Sequence, residues 1–156
     1  MIKRKNVDSL LEAKKIANSD YYLVIVGDGP QYKKLKKKVE DENIRDVVFT
    51  GSRDDVENII PSCDVLILPS FSESFGLVLI EALACGKPVI GSKVGGITEI
   101  INEDVGLLVN PNKISSIARA IDNIINDDEL RLVLSLNARN RAKDFSEVTI
   151  PYDGVE

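Results

Sequence analysis

The 156-residue chain contains no histidine. That absence removes histidine triads, histidine general bases and histidine metal ligands. Any chemistry must use carboxylates, lysine, arginine, hydroxyls or backbone amides. Cysteine is scarce: Cys63 and Cys85 are the only two, both in apolar surroundings. They read as reduced core thiols of a cytoplasmic protein, not as a disulfide framework. No apolar run approaches the roughly 20 residues of a membrane span. The opening MIKRKNVDSL has no hydrophobic stretch of the secretory kind. Basic charge is in deficit, with 20 Lys and Arg against 25 Asp and Glu, a net charge of −5 that argues against a general nucleic-acid binder. The lysines are clustered, however, at Lys33, Lys34, Lys36, Lys37 and Lys38. This cluster reads as the solvated face of a helix more readily than as an anion-binding patch. There is no repeat, linker or low-complexity tract, and no aspartate pair with metal-ligand spacing.

What is present is ordinary globular composition, 44% hydrophobic and 29% charged, enough for one domain with a core. Short apolar runs alternate with amphipathic stretches. Strands are expected at Tyr21–Gly27, Asp46–Gly51, Val65–Ser70, Val89–Ser92 and Gly106–Val109. These runs are nearly continuous, as in parallel strands covered on both faces. Helices are expected at Val7–Asn18, Gln31–Asp41, Val56–Ile60, Gly76–Cys85, Thr98–Asn102, Ser115–Asn126 and Asp128–Lys143. Gly86 and Pro88 supply a stop after the fourth. The alternation predicts a Rossmann-like, doubly wound α/β domain with a parallel sheet. The chain opens almost directly on a helix, so such a domain would lack its first strand. The final TIPYDGVE reads as an unpacked tail, and both ends read as cut from something longer.

In open parallel sheets, ligands bind at the carboxyl ends of the strands. Three loops should meet there: GDGP at Gly27–Pro30, SFSESFGL at Ser70–Leu77, and SKVGGI at Ser92–Ile97. Phe75, Gly76 and Leu77 would form the first turn of a helix, whose free amides and positive dipole end suit a phosphate. Glu81 lies one turn further along, inside the apolar run Leu77–Ala84. A buried carboxylate needs partners. Either Glu81 pairs with a protein group such as Lys87, or faces water, or accepts the vicinal hydroxyls of a ribose. Glu73 sits in the loop before it.

The segment from Pro69 to Glu99 reads PSFSESFGLVLIEALACGKPVIGSKVGGITE. It resembles, without a gap, the pattern PSxxEGFGLxxxEAxAxGxPVxxSxxGGxxE of the donor-binding, C-terminal domain of GT-B glycosyltransferases of the retaining group 1 (GT4-type) class. Its mark, the EX7E motif, is a pair of glutamates separated by seven residues, here Glu73 and Glu81. The resemblance extends through GDGP, FTG, CDVLILPS and GLLVNP, covering most of residues 5–146.

The resemblance implies a role for each matching position. Glu73 would contact the transferred sugar near its reacting carbon, and Glu81 the ribose hydroxyls. Amides of Phe75, Gly76 and Leu77 would bind sugar and diphosphate, with Ser74 in place of the commoner glycine. Gly95 and Gly96 would let a loop pass close to the donor, and Gly27 and Gly29 would shape their turn. Lys5 matches the lysine that neutralises the diphosphate leaving group, while the family's glycine after it is Asn6 here. The partner arginine falls outside the chain, and Arg4 does not stand where it could substitute. Arg53 would lie near the base or on the surface. Glu99 would cap a loop or contact ligand. No metal or resident cofactor is implied; the substrate would be a nucleotide-sugar such as a UDP- or GDP-sugar.

The implied function is hexosyl transfer with retention onto a hydroxyl acceptor, this chain being the donor half. Its partner would be an N-terminal acceptor domain, in cis or in trans, which could also bring a cytoplasmic protein to the membrane surface. The chain alone would bind nucleotide weakly and turn over little. Two other readings stay open: a donor-binding subunit of a split transferase, and a non-catalytic nucleotide-sugar-binding module. A response-regulator-like domain is more distant, because Asp28 and Asp64 lack a clustered acidic partner.

Overall fold

The structure, a computed structural model, describes residues 1–147. The expected tail TIPYDGVE lies outside the described residues. The described residues form five parallel strands, β1 Leu23–Val26, β2 Val47–Gly51, β3 Leu66–Leu68, β4 Val89–Ser92 and β5 Gly106–Val109. Seven α-helices alternate with them: α1 Val7–Ile16, α2 Tyr32–Asp41, α3 Val56–Ile59, α4 Leu77–Ala84, α5 Ile97–Ile100, α6 Ile114–Asn126 and α7 Asp128–Ala142. A 3-10 turn at Lys3–Lys5, unexpected from the sequence, leads into α1.

The strands make two sheets. β1 pairs with β2, and β4 lies between β3 and β5. Among the described residues, no backbone hydrogen bond joins the outer edge of β1 to that of β3. The two sheets share one core all the same. Leu23 and Ile25 of β1, Ile90 of β4 and Val109 of β5 pack under Leu10 and Leu11 of α1 and Ile117, Ile121 and Ile124 of α6. The opposite face of the three-stranded sheet carries a second core, in which Leu68 and Val89 meet Leu79 and Leu83 of α4, Ile97 and Ile100 of α5 and Ala138 of α7. Alternate residues of β4 therefore enter different cores, and all four are buried. This is the doubly wound arrangement expected.

Coverage on both faces does not extend to β1 and β2. Val24 is 42%, Val26 37% and Val48 46% exposed. An unbroken apolar run fits a one-sided strand as well as a two-sided one, and here alternation along β1 is plain. The cysteines are half-buried and free: Cys85 packs against the second core, and Cys63 Sγ donates to the Ile59 carbonyl. The lysine cluster behaves as a charged helix face. Lys37 pairs with Asp41, and Lys38 ties α2 to α1 through Asp8 at 2.9 Å and Glu12 at 2.6 Å.

Candidate donor-binding site

Of the three loops expected to meet, those after β3 and β4 are bound to each other, whereas GDGP packs on the chain start. The β3–α4 loop brings Glu73 to Lys5, whose Nζ donates to Glu73 Oε2 at 2.6 Å. The Glu73 side chain is only 13% exposed, so this partner relieves a charge largely removed from water. The Phe71 amide donates to the Arg4 carbonyl at 2.8 Å, fixing the same loop to the start of the chain.

The glycine pair explains how the β4–α5 loop comes so near. The Gly96 amide donates to the Glu73 carbonyl at 3.2 Å. A Cβ on Gly95 would collide with the Glu73 carbonyl oxygen, and one on Gly96 with that of Ser74. The close approach present is therefore between these two loops. Gly76, at φ 73°, is the N-cap of α4. Around it, the amides of Phe75, Gly76 and Leu77 donate to no protein acceptor among the described residues. They form a cluster of free donors at a helix start, beside Glu73.

Glu81 is the fifth residue of α4, half-buried between the buried Ile80 and Ala82. Among the described residues it has no hydrogen-bond or ion-pair partner; Lys87 does not reach it. Burial pushes its pKa up from the ordinary carboxylate value. The Glu73 side is thus neutralised within the protein, while the Glu81 side is left to water or a ligand.

The remaining predicted positions divide. Gly29, at φ 135°, lies against the Met1 backbone, and Gln31 N donates to Met1 O at 3.0 Å, so GDGP packs on the chain start. Gly27 joins Gly51 in an isolated bridge. Arg53 is exposed and forms a two-pronged pair with Asp55, at 2.8 and 2.7 Å, its only polar partner among the described residues. Nothing draws it to Lys5 or Glu73. The Glu99 side chain is exposed, and its carbonyl accepts from Arg141 at 2.6 Å. Three polar residues escaped the sequence reading as site components. Asn6 is buried, and Ser70 and Ser92 have fully buried hydroxyls with no partner among the described residues. Their signal is position alone: Ser70 lies just past β3, Ser92 ends β4, and Asn6 follows Lys5.

A family model described as glycosyl transferases group 1 matches residues 1–141. The chain belongs to that family. This group 1 transferase chain is 38% identical over 141 residues to the N-acetyl-alpha-D-glucosaminyl L-malate synthase of Bacillus anthracis, covering 88% of this chain and 37% of that protein. It is 36% identical over 148 residues to an uncharacterized glycosyltransferase of Methanocaldococcus jannaschii, covering 93% and 42% respectively. The Anabaena protein HepE, solved in complex with UDP and glucose, superposes with a TM-score of 0.86 at 28% identity, over 92% of this chain and 41% of that one. The group 1 chain thus spans about two fifths of the length of these relatives. Its Rossmann-like fold is that of one half of a GT-B glycosyltransferase.

Proposed function

We propose that this chain is the donor-binding half of a retaining, GT4-type hexosyltransferase, and that the EX7E pair does the work of its donor site. The observation that carries this reading is the contrast between the two glutamates. Glu73 is neutralised by Lys5 next to free helix amides, whereas Glu81 is half-buried without a partner among the described residues. A nucleotide-sugar complements both. Its diphosphate takes the amides of Phe75, Gly76 and Leu77 and the ammonium of Lys5, and its ribose hydroxyls donate to Glu81. Glu73 then faces the sugar. In the reaction, the bond from the anomeric carbon to the diphosphate oxygen breaks. A bond to the acceptor oxygen forms, and the acceptor proton is released. Lys5 and the amides stabilise the charge that develops on the leaving diphosphate. Neither a metal nor a resident cofactor enters this reading.

Sheet topology supports the reading of a half. A parallel strand between β1 and β3 would convert the two sheets into the order 3-2-1-4-5-6 of a complete nucleotide-binding domain. We assign that strand, and an N-terminal acceptor domain, to the remainder of a longer polypeptide or to a partner chain. UDP is the first nucleotide to try, since HepE is solved with it.

The test is a calorimetric titration of the chain and its Glu81→Ala variant with UDP, GDP, ADP and their sugar conjugates. Binding of one nucleotide that the variant loses supports the reading and names the base. Binding unaffected by the substitution sinks the role of Glu81. Turnover matching that of two-domain relatives would overturn the claim that this is only a half.

A further inference from the structure

Asn6 is the least expected residue at this site. It is 3% exposed and adopts a left-handed conformation, φ 59°, between the 3-10 turn and α1. Glycine would satisfy that conformation, and asparagine tolerates it better than most residues. The side chain does something glycine cannot. Its Nδ2 donates to the Pro69 carbonyl at 3.0 Å and to the Pro111 carbonyl at 2.9 Å. These carbonyls follow β3 and β5, the two strands flanking β4. Both donor hydrogens of one amide are thereby used to join the start of α1 to two strand ends. Buried hydrogen bonds of this kind fix geometry because breaking either would leave a buried carbonyl unpaired.

Lys5 is the neighbour of this clamp. Its side chain is 36% exposed and long, and its polar contact is Glu73. On one side Arg4 O is held by Phe71 N; on the other Asn6 is held by Pro69 and Pro111. We propose that Asn6 is a positioning residue for Lys5. By locking the Lys5 backbone to the β3 and β5 strand ends, it confines a flexible ammonium to the Glu73 loop. Under the donor-binding reading, on which this consequence rests, it also presents that ammonium to the diphosphate of the nucleotide.

Asn6→Gly preserves the backbone conformation and deletes the clamp. Two measurements are made on it. In lysine side-chain amine NMR, the Lys5 signal of the native chain, identified with Lys5→Arg, should shift on Glu73→Gln; in the Asn6→Gly background that response should vanish. In calorimetry, Asn6→Gly should weaken UDP by roughly fivefold, the size of losing part of a half-exposed charge contact, and change UMP by less than about twofold. If Asn6→Gly does not fold, Asn6→Ser serves, its hydroxyl being one bond too short to reach the two carbonyls. A Lys5 signal that keeps its Glu73 dependence in the folded variant overturns the proposal, whatever the nucleotides do. Where the native chain binds UDP more tightly than UMP, equal weakening of the two marks a merely structural residue and also overturns it. Release of Lys5 in a protein whose native form ignores the diphosphate supports the positioning role and refutes the donor-binding reading instead.

Discussion

Replacing Glu81 by glutamine should raise the melting temperature of the ligand-free chain and weaken nucleotide binding in the same molecule. Shape and helix propensity are nearly unchanged, so the difference isolates the charge. Glu81 is half-buried beside Ile80 and Ala82 and has no partner among the described residues. An unsatisfied buried polar group costs about 1–3 kcal/mol, and partial exposure puts Glu81 at the low end, about 1 kcal/mol. In a chain of this size that is a rise of about 2–4 °C. Burial raises the Glu81 pKa. Its neutral form therefore contributes stability that is full below the unfolded carboxylate range and is lost as pH rises through the folded value. The gain from Glu81→Gln should accordingly be absent in acid and appear towards pH 7. Losing one hydrogen bond to a charged acceptor, about 2 kcal/mol, should weaken the nucleotide roughly thirtyfold. Scanning calorimetry across a pH series, with and without UDP, reads both effects. A variant that melts below the native chain at neutral pH without ligand refutes the reasoning, because Glu81 would then have a stabilising partner.

Gly96→Ala places a methyl group against the Ser74 carbonyl and should cost about 1–3 kcal/mol through displacement of the Glu73 loop, measured as a lower melting temperature together with weaker UDP binding. An unchanged melt would show that the loop yields freely. Ser92→Ala removes a fully buried hydroxyl with no partner among the described residues and should be neutral or stabilising by up to about 1 kcal/mol in a denaturant titration; a clear loss would reveal an occupied hydrogen bond.

Much of the fold was legible because its punctuation is local. β4 and β5 have the bounds expected, and Gly86 with Pro88 ends α4 within a residue of its predicted stop. The bare face of β1 and β2 was not legible, since Val24, Val26 and Val48 lie in runs as apolar as those of covered strands. At the candidate site, motif spacing singled out Glu73, Glu81 and the helix start. It could not reveal that Lys5 already satisfies Glu73, or that the glycine pair packs one loop on another, because both contacts join residues far apart in sequence. Asn6 registered only as a departure from glycine. Its carboxamide finds its acceptors 63 and 105 residues away.

The split sheet has a consequence for where the molecule breathes. Lys5, Glu73, Glu81 and the glycine pair are all fastened to the three-stranded sheet or its loops. The β1–β2 leaf, two strands with one wet face, contributes the GDGP turn and the loop bearing Arg53. Small sheets with few buried contacts occupy the low end of local opening free energies. The leaf is therefore the part that opens first, and its amides exchange with solvent sooner than those of β4. Such opening should move the GDGP turn and the Arg53 loop while Lys5 and the two carboxylates stay in register.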